Sequence, residues 1–187
     1  MIETARAFLA KLKISRFVAD RDTFTQELDR QTKKLARAIC KLPRVLTDGA
    51  KHWGTARKAL NLFLSEVYYH RILCAHYGFP KVEEYLEVPL DSQVAHYLKE
   101  KAKKRSIDLP GFPRIKHLLQ KTSDKYQEFA ANYAQSRRGS WLRIHLDLEA
   151  WRATGPRGPQ LNVQIRFGSS CDYLAVGCLQ PKLQNFH

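Results

Sequence analysis

The sequence predicts a mainly α-helical protein, a compact helical bundle that ends in a small β hairpin or sheet. Apolar residues recur at helical spacing between residues 24 and 136, and segments rich in glycine and proline separate these stretches. Apolar and polar residues alternate after residue 141. The chain has 187 residues, of which 44% are hydrophobic, enough for one core. We therefore expect a helical domain at 1–138 and a small β-rich extension packed on it at 139–187.

The first long helix is predicted to start at a capping Asp22 or Thr23 and to end at Pro43. Asp and Thr side chains accept hydrogen bonds from the free N–H groups of a helix start, and proline cannot continue a helix. The apolar residues of this segment recur at spacings of three, four and seven, which places them on one helix face: Phe24, Leu28, Leu35, Ile39 and Leu42.

Three further helices are predicted downstream. The segment from residue 55 to residue 77 is apolar almost all round, so we expect it to be the central, buried helix. The next helix begins with Asp91 or Ser92 at its N-cap and ends in the basic run 99–105. A last helix is expected over residues 114–136.

The C-terminal part of the chain has the alternating pattern of half-buried strands. Residues 142–149 and 161–167 alternate apolar and polar side chains, and the Gly-Pro-rich segment 155–159 suits a loop between them. Residues 173–179 form a weak third strand. An amphipathic helix over 141–151 is the alternative for the first of these segments.

The strong positive charge favours a nucleic acid as the partner. The net formal charge is +14, and residues 1–60 alone carry 14 basic and 6 acidic side chains. Such a chain repels itself unless a polyanion offsets the charge, and phosphate contacts supply most non-specific affinity for nucleic acids. We expect DNA rather than RNA. An anionic membrane is less favoured, because no basic segment is also amphipathic with a bulky apolar face.

The sequence lacks the signals that are typical of membrane proteins, secreted proteins and metalloproteins. No segment approaches the roughly 18 to 20 apolar residues of a membrane helix, and residues 1–13 lack the regions of a secretory signal. We expect an intracellular protein, cytoplasmic and nucleoid-associated or, in a eukaryote, nuclear. We also expect no metal ion or cofactor, since no zinc or iron–sulfur spacing occurs among the four cysteines: Cys40, Cys74, Cys171 and Cys178.

Two segments together carry a motif. Residues 54–64 read Gly-Thr-Ala-Arg-Lys-Ala-Leu-Asn-Leu-Phe-Leu, a small-residue turn and a basic pair followed by an apolar helix. Residues 88–94 place a carboxylate at the start of the next helix. This pair resembles the helix-hairpin-helix DNA glycosylase superfamily, in which a glycine-x-glycine turn leads into a helix carrying the catalytic lysine and an aspartate heads a later helix. The resemblance covers residues 52–98.

The resemblance implies a DNA-binding protein that cleaves the N-glycosidic bond of a modified or damaged base. Lys58 would be the nucleophile, Asp91 the catalytic carboxylate, and Asn61 a buried supporting residue. A lysine in a partly desolvated pocket loses its proton more readily and can attack the sugar C1′ to form a Schiff base. The base would have to leave the DNA stack to reach it.

The turn and the basic runs are the candidate phosphate contacts. Gly54, Thr55 and Arg57, with Lys51 before them, would form a phosphate clamp, because N–H groups at a helix N-terminus bind anions. We expect a wider footprint from the basic residues of the later segments: Lys99, Lys101, Lys103, Lys104, Arg105, Arg137 and Arg138.

The residues leave two other functions open. The chain could be a non-catalytic nucleic-acid-binding module, in which Lys58 holds a phosphate and Asp91 only caps a helix. It could also bind an acidic partner protein. Whether it is an enzyme therefore stays open at this level. Close approach of the Lys58 amine to the Asp91 carboxylate, in an open and positively charged cleft, would favour the enzyme.

Overall fold

The computed structural model describes residues 1–42, 51–137, 139 and 141–154. This part of the chain is helical and contains no strand, so the prediction of a mainly α protein is confirmed. Short 3-10 turns connect the longer helices. The α-helices are α1 (Ile2–Leu9), α2 (Arg21–Cys40), α3 (Trp53–Tyr69), α4 (Arg71–Tyr77), α5 (Ser92–Lys103), α6 (Gln120–Gln135) and α7 (Leu146–Thr154).

Helix α2 has the predicted apolar face but a different cap. Asp20, rather than Asp22 or Thr23, is the N-cap, and its carboxylate accepts hydrogen bonds from the backbone N and the hydroxyl of Thr23 at 3.0 and 2.8 Å. Asp20 is better placed because its backbone is extended (φ −67°, ψ 170°), as a cap residue requires. The residues buried from the predicted face are Phe24, Leu28, Leu35 and Ile39.

The predicted helix over residues 55–77 is in fact two helices. It begins two residues earlier, at Trp53, and α3 ends at Tyr69 because His70 adopts an extended backbone (φ −82°, ψ 102°). The ring Nδ1 of His70 accepts a hydrogen bond from the backbone N of Leu73 at 3.3 Å and so caps α4. Helix α3 is largely buried, whereas α4 is mostly exposed, with Ile72 72% exposed, so the central buried helix is shorter than the sequence predicted.

Of the two later helices, one starts as predicted and the other starts further along the chain. Helix α5 begins as predicted, with Asp91 as its N-cap. Helix α6 begins at Gln120 rather than at residue 114, because Ile115–His117 form a 3-10 turn and Leu118 is drawn into the core, where it is 2% exposed. That turn packs against the first turn of α3.

The strand predicted for residues 142–149 is wrong, and the alternative amphipathic helix is confirmed. Arg143–His145 form a 3-10 turn and Leu146–Thr154 form α7. The core selects the helix, because Leu146 and Ala150 are one helical turn apart and are both fully buried between α5 and α6. The predicted strands at 161–167 and 173–179 lie outside the described residues.

The described core has two hydrophobic clusters. The first is built mainly from α2 and α3, which pack extensively on one another, and the second from α5, α6 and α7. Residues 141–154, which the sequence assigned to a separate extension, contribute to both clusters, Ile144 to the first and Leu146 to the second. Residues 141–154 are therefore part of the helical core and link its two clusters.

Candidate functional site

An ion pair joins the two residues that the resemblance singled out. Nζ of Lys58 lies 3.0 Å from Oδ2 of Asp91, although 33 residues separate them in the chain. Lys58 stands early in α3 and Asp91 caps α5. The side chain of Lys58 is 32% exposed and that of Asp91 15% exposed, so the pair lies at the surface and is accessible from solvent.

Asp91 is held by both of its carboxylate oxygens. Oδ1 accepts hydrogen bonds from the backbone N of Gln93 at 2.9 Å and of Val94 at 2.8 Å, while Oδ2 faces Lys58. An ionised carboxylate can accept about four hydrogen bonds, so these contacts leave acceptor capacity unused. The cap fixes the carboxylate in place beside the amine, so the predicted capping role of Asp91 is confirmed and its catalytic role stays a prediction.

A second carboxylate belongs to the site. Asp147, in the first turn of α7, has its pKa raised to about 6, chiefly by burial and further by the negative charge of Asp91. The positive charge of Lys58 and a hydrogen bond with the Trp151 side chain oppose this shift. Asp147 is therefore close enough to the ion pair for the charges of both Asp91 and Lys58 to act on it.

Sequence reasoning did not find Asp147. In a strand over residues 142–149, Asp147 would be an ordinary solvent-facing position. The available signal was the spacing of Leu146 and Ala150, which suits a helix, together with Asp147 and Glu149 in its first turn, where acidic residues are favoured.

Half-exposed apolar side chains accompany the site residues on their own helices. Leu62 follows Lys58 by one turn of α3 and is 39% exposed. Leu148 and Trp151 follow Asp147 on α7 and are 43% and 50% exposed. An amine and two carboxylates on helices that also carry exposed apolar groups can hold a ligand with both polar and flat apolar parts.

Arg57, predicted as part of the phosphate clamp, lies inside the protein. Its side chain is 4% exposed and makes a bidentate ion pair with Glu87, at 2.8 and 2.7 Å. Its Nη1 also donates to Asp29 at 2.6 Å and to Thr32 at 3.2 Å. Because the guanidinium is used by these partners, Arg57 does not present its charge to a ligand at the surface.

Asn61 completes this buried network, which agrees with its predicted role as a buried, hydrogen-bonded residue. Its Nδ2 donates to Glu87 at 2.9 Å, and the residue is 3% exposed. Burial by itself raises the pKa of Glu87, but the charges of Arg57 and Arg143 and these hydrogen bonds outweigh it and hold that pKa below its usual value. The network ties α2, α3 and the segment before α5 together behind the site.

Gly54 is buried for a steric reason. A Cβ on Gly54 would lie 2.3 Å from the carbonyl oxygen of Ile115 and 2.5 Å from Cβ of Leu118, so only glycine allows the 115–118 segment to pack on α3. The predicted clamp is thus corrected at Gly54 as well as at Arg57. Thr55 remains half-buried and Lys51 exposed. Beside them is a cavity of about 130 Å³, lined by Lys51, Lys116, His117, Leu118 and Leu119.

The other predicted phosphate contacts lie at the far end of α5. Lys99, Lys103 and Lys104 are exposed, and Lys101 lies over the ring of Tyr97, 4.8 Å from its centroid. Arg105 is exposed and stacks on Tyr133 at 4.6 Å.

Two more predicted contacts follow α6. Arg137 pairs with Glu149 and stacks on Trp141 at 3.9 Å, so its charge is largely matched within the protein. Arg138 lies outside the described residues.

Comparisons with known proteins found no match: no family model, no curated protein and no solved structure matches this chain. Among the described residues, none of the helices is both long and apolar enough to cross a membrane. In the same part of the chain, His, Cys, Asp and Glu side chains form no group of three or more that could hold a metal ion.

Proposed function

We propose that this protein is a DNA-binding enzyme that cleaves the N-glycosidic bond of a modified or damaged base, in the manner of the helix-hairpin-helix DNA glycosylases. The observation that carries this proposal is the 3.0 Å approach of the Lys58 amine to the Asp91 carboxylate in a solvent-accessible position. The net charge of +14 supports a polyanionic substrate.

The two residues have distinct roles in such a reaction. Lys58, once its amine is neutral, attacks C1′ of the deoxyribose while the bond from C1′ to the base breaks, and the departing base takes up a proton. Loss of a proton from the amine and cleavage of the C1′–O4′ bond, whose oxygen is protonated, then give a Schiff base. Asp91 either accepts a proton from the Lys58 ammonium or, while it stays ionised, stabilises the positive charge that develops on the sugar.

Asp147 supplies the proton that the departing base needs. With a pKa of about 6 it keeps its proton in roughly a tenth of the molecules at pH 7, and general acids work best when their pKa is close to the operating pH. The target nucleotide must leave the stack to reach these groups. The exposed ring of Trp151, beside Asp147 on α7, offers a surface for an extruded base.

Borohydride trapping tests the proposal, because borohydride reduces a Schiff base to a stable covalent adduct. The substrates are duplexes that carry a central abasic site or a damaged base. We expect wild type to form an adduct and the Lys58→Ala and Asp91→Asn variants to lose it while they keep most of their affinity for duplex. The Lys11→Ala variant, which removes an exposed lysine near the N-terminus, should react like wild type.

The other outcomes identify the rival functions. If wild type binds duplex but forms no adduct, and Asp91→Asn changes nothing, the protein is a non-catalytic nucleic-acid-binding module. If duplex DNA fails to bind while an acidic polypeptide binds at a defined stoichiometry, the partner is an acidic protein.

A further inference from the structure

One exposed face of α5 leads from the ion pair to the basic end of the helix. Ser92, His96, Lys99 and Lys103 are spaced by four, three and four residues, which places them on one narrow face, and all four are exposed. We call these four residues the α5 strip. Its first residue follows Asp91 directly, so the strip begins at the proposed catalytic pair.

The opposite face of α5 fixes the orientation of the strip. Its apolar side chains are buried in the second core cluster against α6 and α7, which prevents the helix from rotating: Val94, Ala95, Tyr97, Leu98 and Ala102. The strip is therefore a permanent part of the surface and not one of several rotational states of the helix.

The far end of the strip is positively charged and partly pre-ordered. Lys104 and Arg105 follow Lys103, and all three are exposed. The Arg105 guanidinium is held on the ring of Tyr133, and its Nη2 donates to Oγ of Ser136 at 2.7 Å. The acidic Glu149 is paired with Arg137, which also contacts Tyr133, so that carboxylate does not cancel the positive field.

We propose that the α5 strip binds the sugar–phosphate backbone of DNA on one side of the nucleotide held at Lys58. This rests on the proposed function, because it takes the ion pair as the anchor point. From Ser92 to Lys103 the helix rises about 16 Å, at ~1.5 Å per residue. At ~3.4 Å per nucleotide along one strand, this span corresponds to about five nucleotides.

A simpler role for some of these cations is stabilisation of the helix itself. Lysines in the last turn interact favourably with the carbonyl end of the helix dipole, which accounts for Lys101 and Lys103. That role affects the stability of the free protein and does not depend on DNA. Phosphate binding instead affects the salt dependence of DNA affinity, so the two roles separate experimentally.

The test compares two charge-matched double variants of the full chain. Lys99→Gln/Lys103→Gln alters the α5 strip, and Lys11→Gln/Lys13→Gln removes two exposed lysines near the N-terminus. Fluorescence anisotropy measures the affinity of each protein for a duplex with a central reduced abasic residue, at several salt concentrations. The slope of log affinity against log salt should become shallower by about two for the α5 variant and stay close to wild type for the control.

Duplex length provides a second readout. On a duplex with about ten base pairs on each side of the abasic residue, the α5 variant should bind more weakly than wild type. On a duplex that keeps about ten pairs on one side of the abasic residue but only about two on the side that the strip covers, which its far end then cannot reach, the two proteins should bind equally.

The results that would overturn the inference are distinct from those that overturn the function. If wild type binds the duplex and both double variants show the same slope, the strip does not contact DNA, whereas the proposed function stands. If the α5 variant loses thermal stability but keeps the wild-type slope, its lysines act only on the helix dipole. If wild type does not bind the duplex at all, both proposals fail.

Discussion

One carboxylate oxygen of Asp91 accepts two backbone hydrogen bonds at the start of α5, and the other lies 3.0 Å from the amine of Lys58. A single side chain thus caps the start of one helix and pairs with the charged group of another. The cap holds the carboxylate rigid, so the Lys58 side chain reaches from α3 to a fixed acceptor at the start of α5.

Replacement of Asp91 separates its two roles. Asp91→Asn keeps a capping oxygen and should change the free energy of unfolding by well under 1 kcal/mol, whereas Asp91→Ala loses the cap and should cost about 1 kcal/mol. Both variants should lose adduct formation, because both lack the charge. Urea unfolding and borohydride trapping measure the two effects. If Asp91→Asn formed as much borohydride adduct as wild type, the carboxylate charge would have no catalytic role.

Gly54→Ala should destabilise the protein although alanine is the better helix former by about 1 kcal/mol. Its Cβ would collide with the carbonyl oxygen of Ile115, and a backbone atom cannot move aside without shifting the whole 115–118 segment. We expect a net loss of about 1–3 kcal/mol, measured by urea unfolding. Gly111→Ala is the matched control, since no atom lies within 4 Å of its added Cβ, and it should stay within about 0.5 kcal/mol.

Glu87 should make the free energy of unfolding depend on pH in the acidic range. The charge of Arg57 outweighs the cost of burial, so the pKa of Glu87 is lowered in the folded state. The contribution of the ionised Glu87 to the free energy of unfolding is therefore complete above the unfolded pKa of about 4.3, and it is lost as the pH falls through the lower folded pKa. Glu87→Gln should cost about 2–4 kcal/mol at neutral pH and less in acid. Unfolding curves between about pH 7 and pH 3 measure this difference.

The exposed Glu128→Gln is the control for that experiment, and we expect a change within about 0.5 kcal/mol at every pH. An equal loss for Glu87→Gln at neutral and acidic pH would mean that the Glu87 charge contributes nothing to folding.

Asp147→Asn should raise the free energy of unfolding above that of wild type, and this gain should increase with pH. The folded pKa of Asp147 is raised to about 6, above the unfolded value of about 3.9, so the stability linked to its proton is complete below pH ~4 and is lost as the pH rises through 6. The variant should match wild type near pH 4 and exceed it at about pH 8, in thermal or urea unfolding. A stabilisation that is the same at both pH values would contradict a raised pKa.

The same substitution tests the role of Asp147 in catalysis. Asparagine cannot donate the proton that the departing base needs, so glycosidic cleavage should slow by about 10²- to 10⁴-fold. Trapping on a preformed abasic site, where no base departs, should change much less. An equal loss of both activities would show that Asp147 positions the ion pair and is not the proton donor.

The sequence by itself determined the helical class of the described residues, the apolar face of α2 and the start of α5. Each of these depends on local spacing or on a cap within three residues of the helix start, as at Asp91. The resemblance also paired Lys58 with Asp91, and the structure places their charged groups in contact. The large positive charge is likewise a property of composition alone.

Only the tertiary structure decided where the other polar groups point. Arg57 stands one position before Lys58, yet it faces inward because Glu87, 30 residues later, supplies a buried counter-charge. Asp147 joined the site because residues 142–149 fold as a helix once Leu146 and Ala150 have a shared core to enter. The spacing of apolar residues predicts which face of a helix or strand is buried. Whether a charged side chain is also buried depends on a partner from a distant segment of the chain, which local spacing does not reveal.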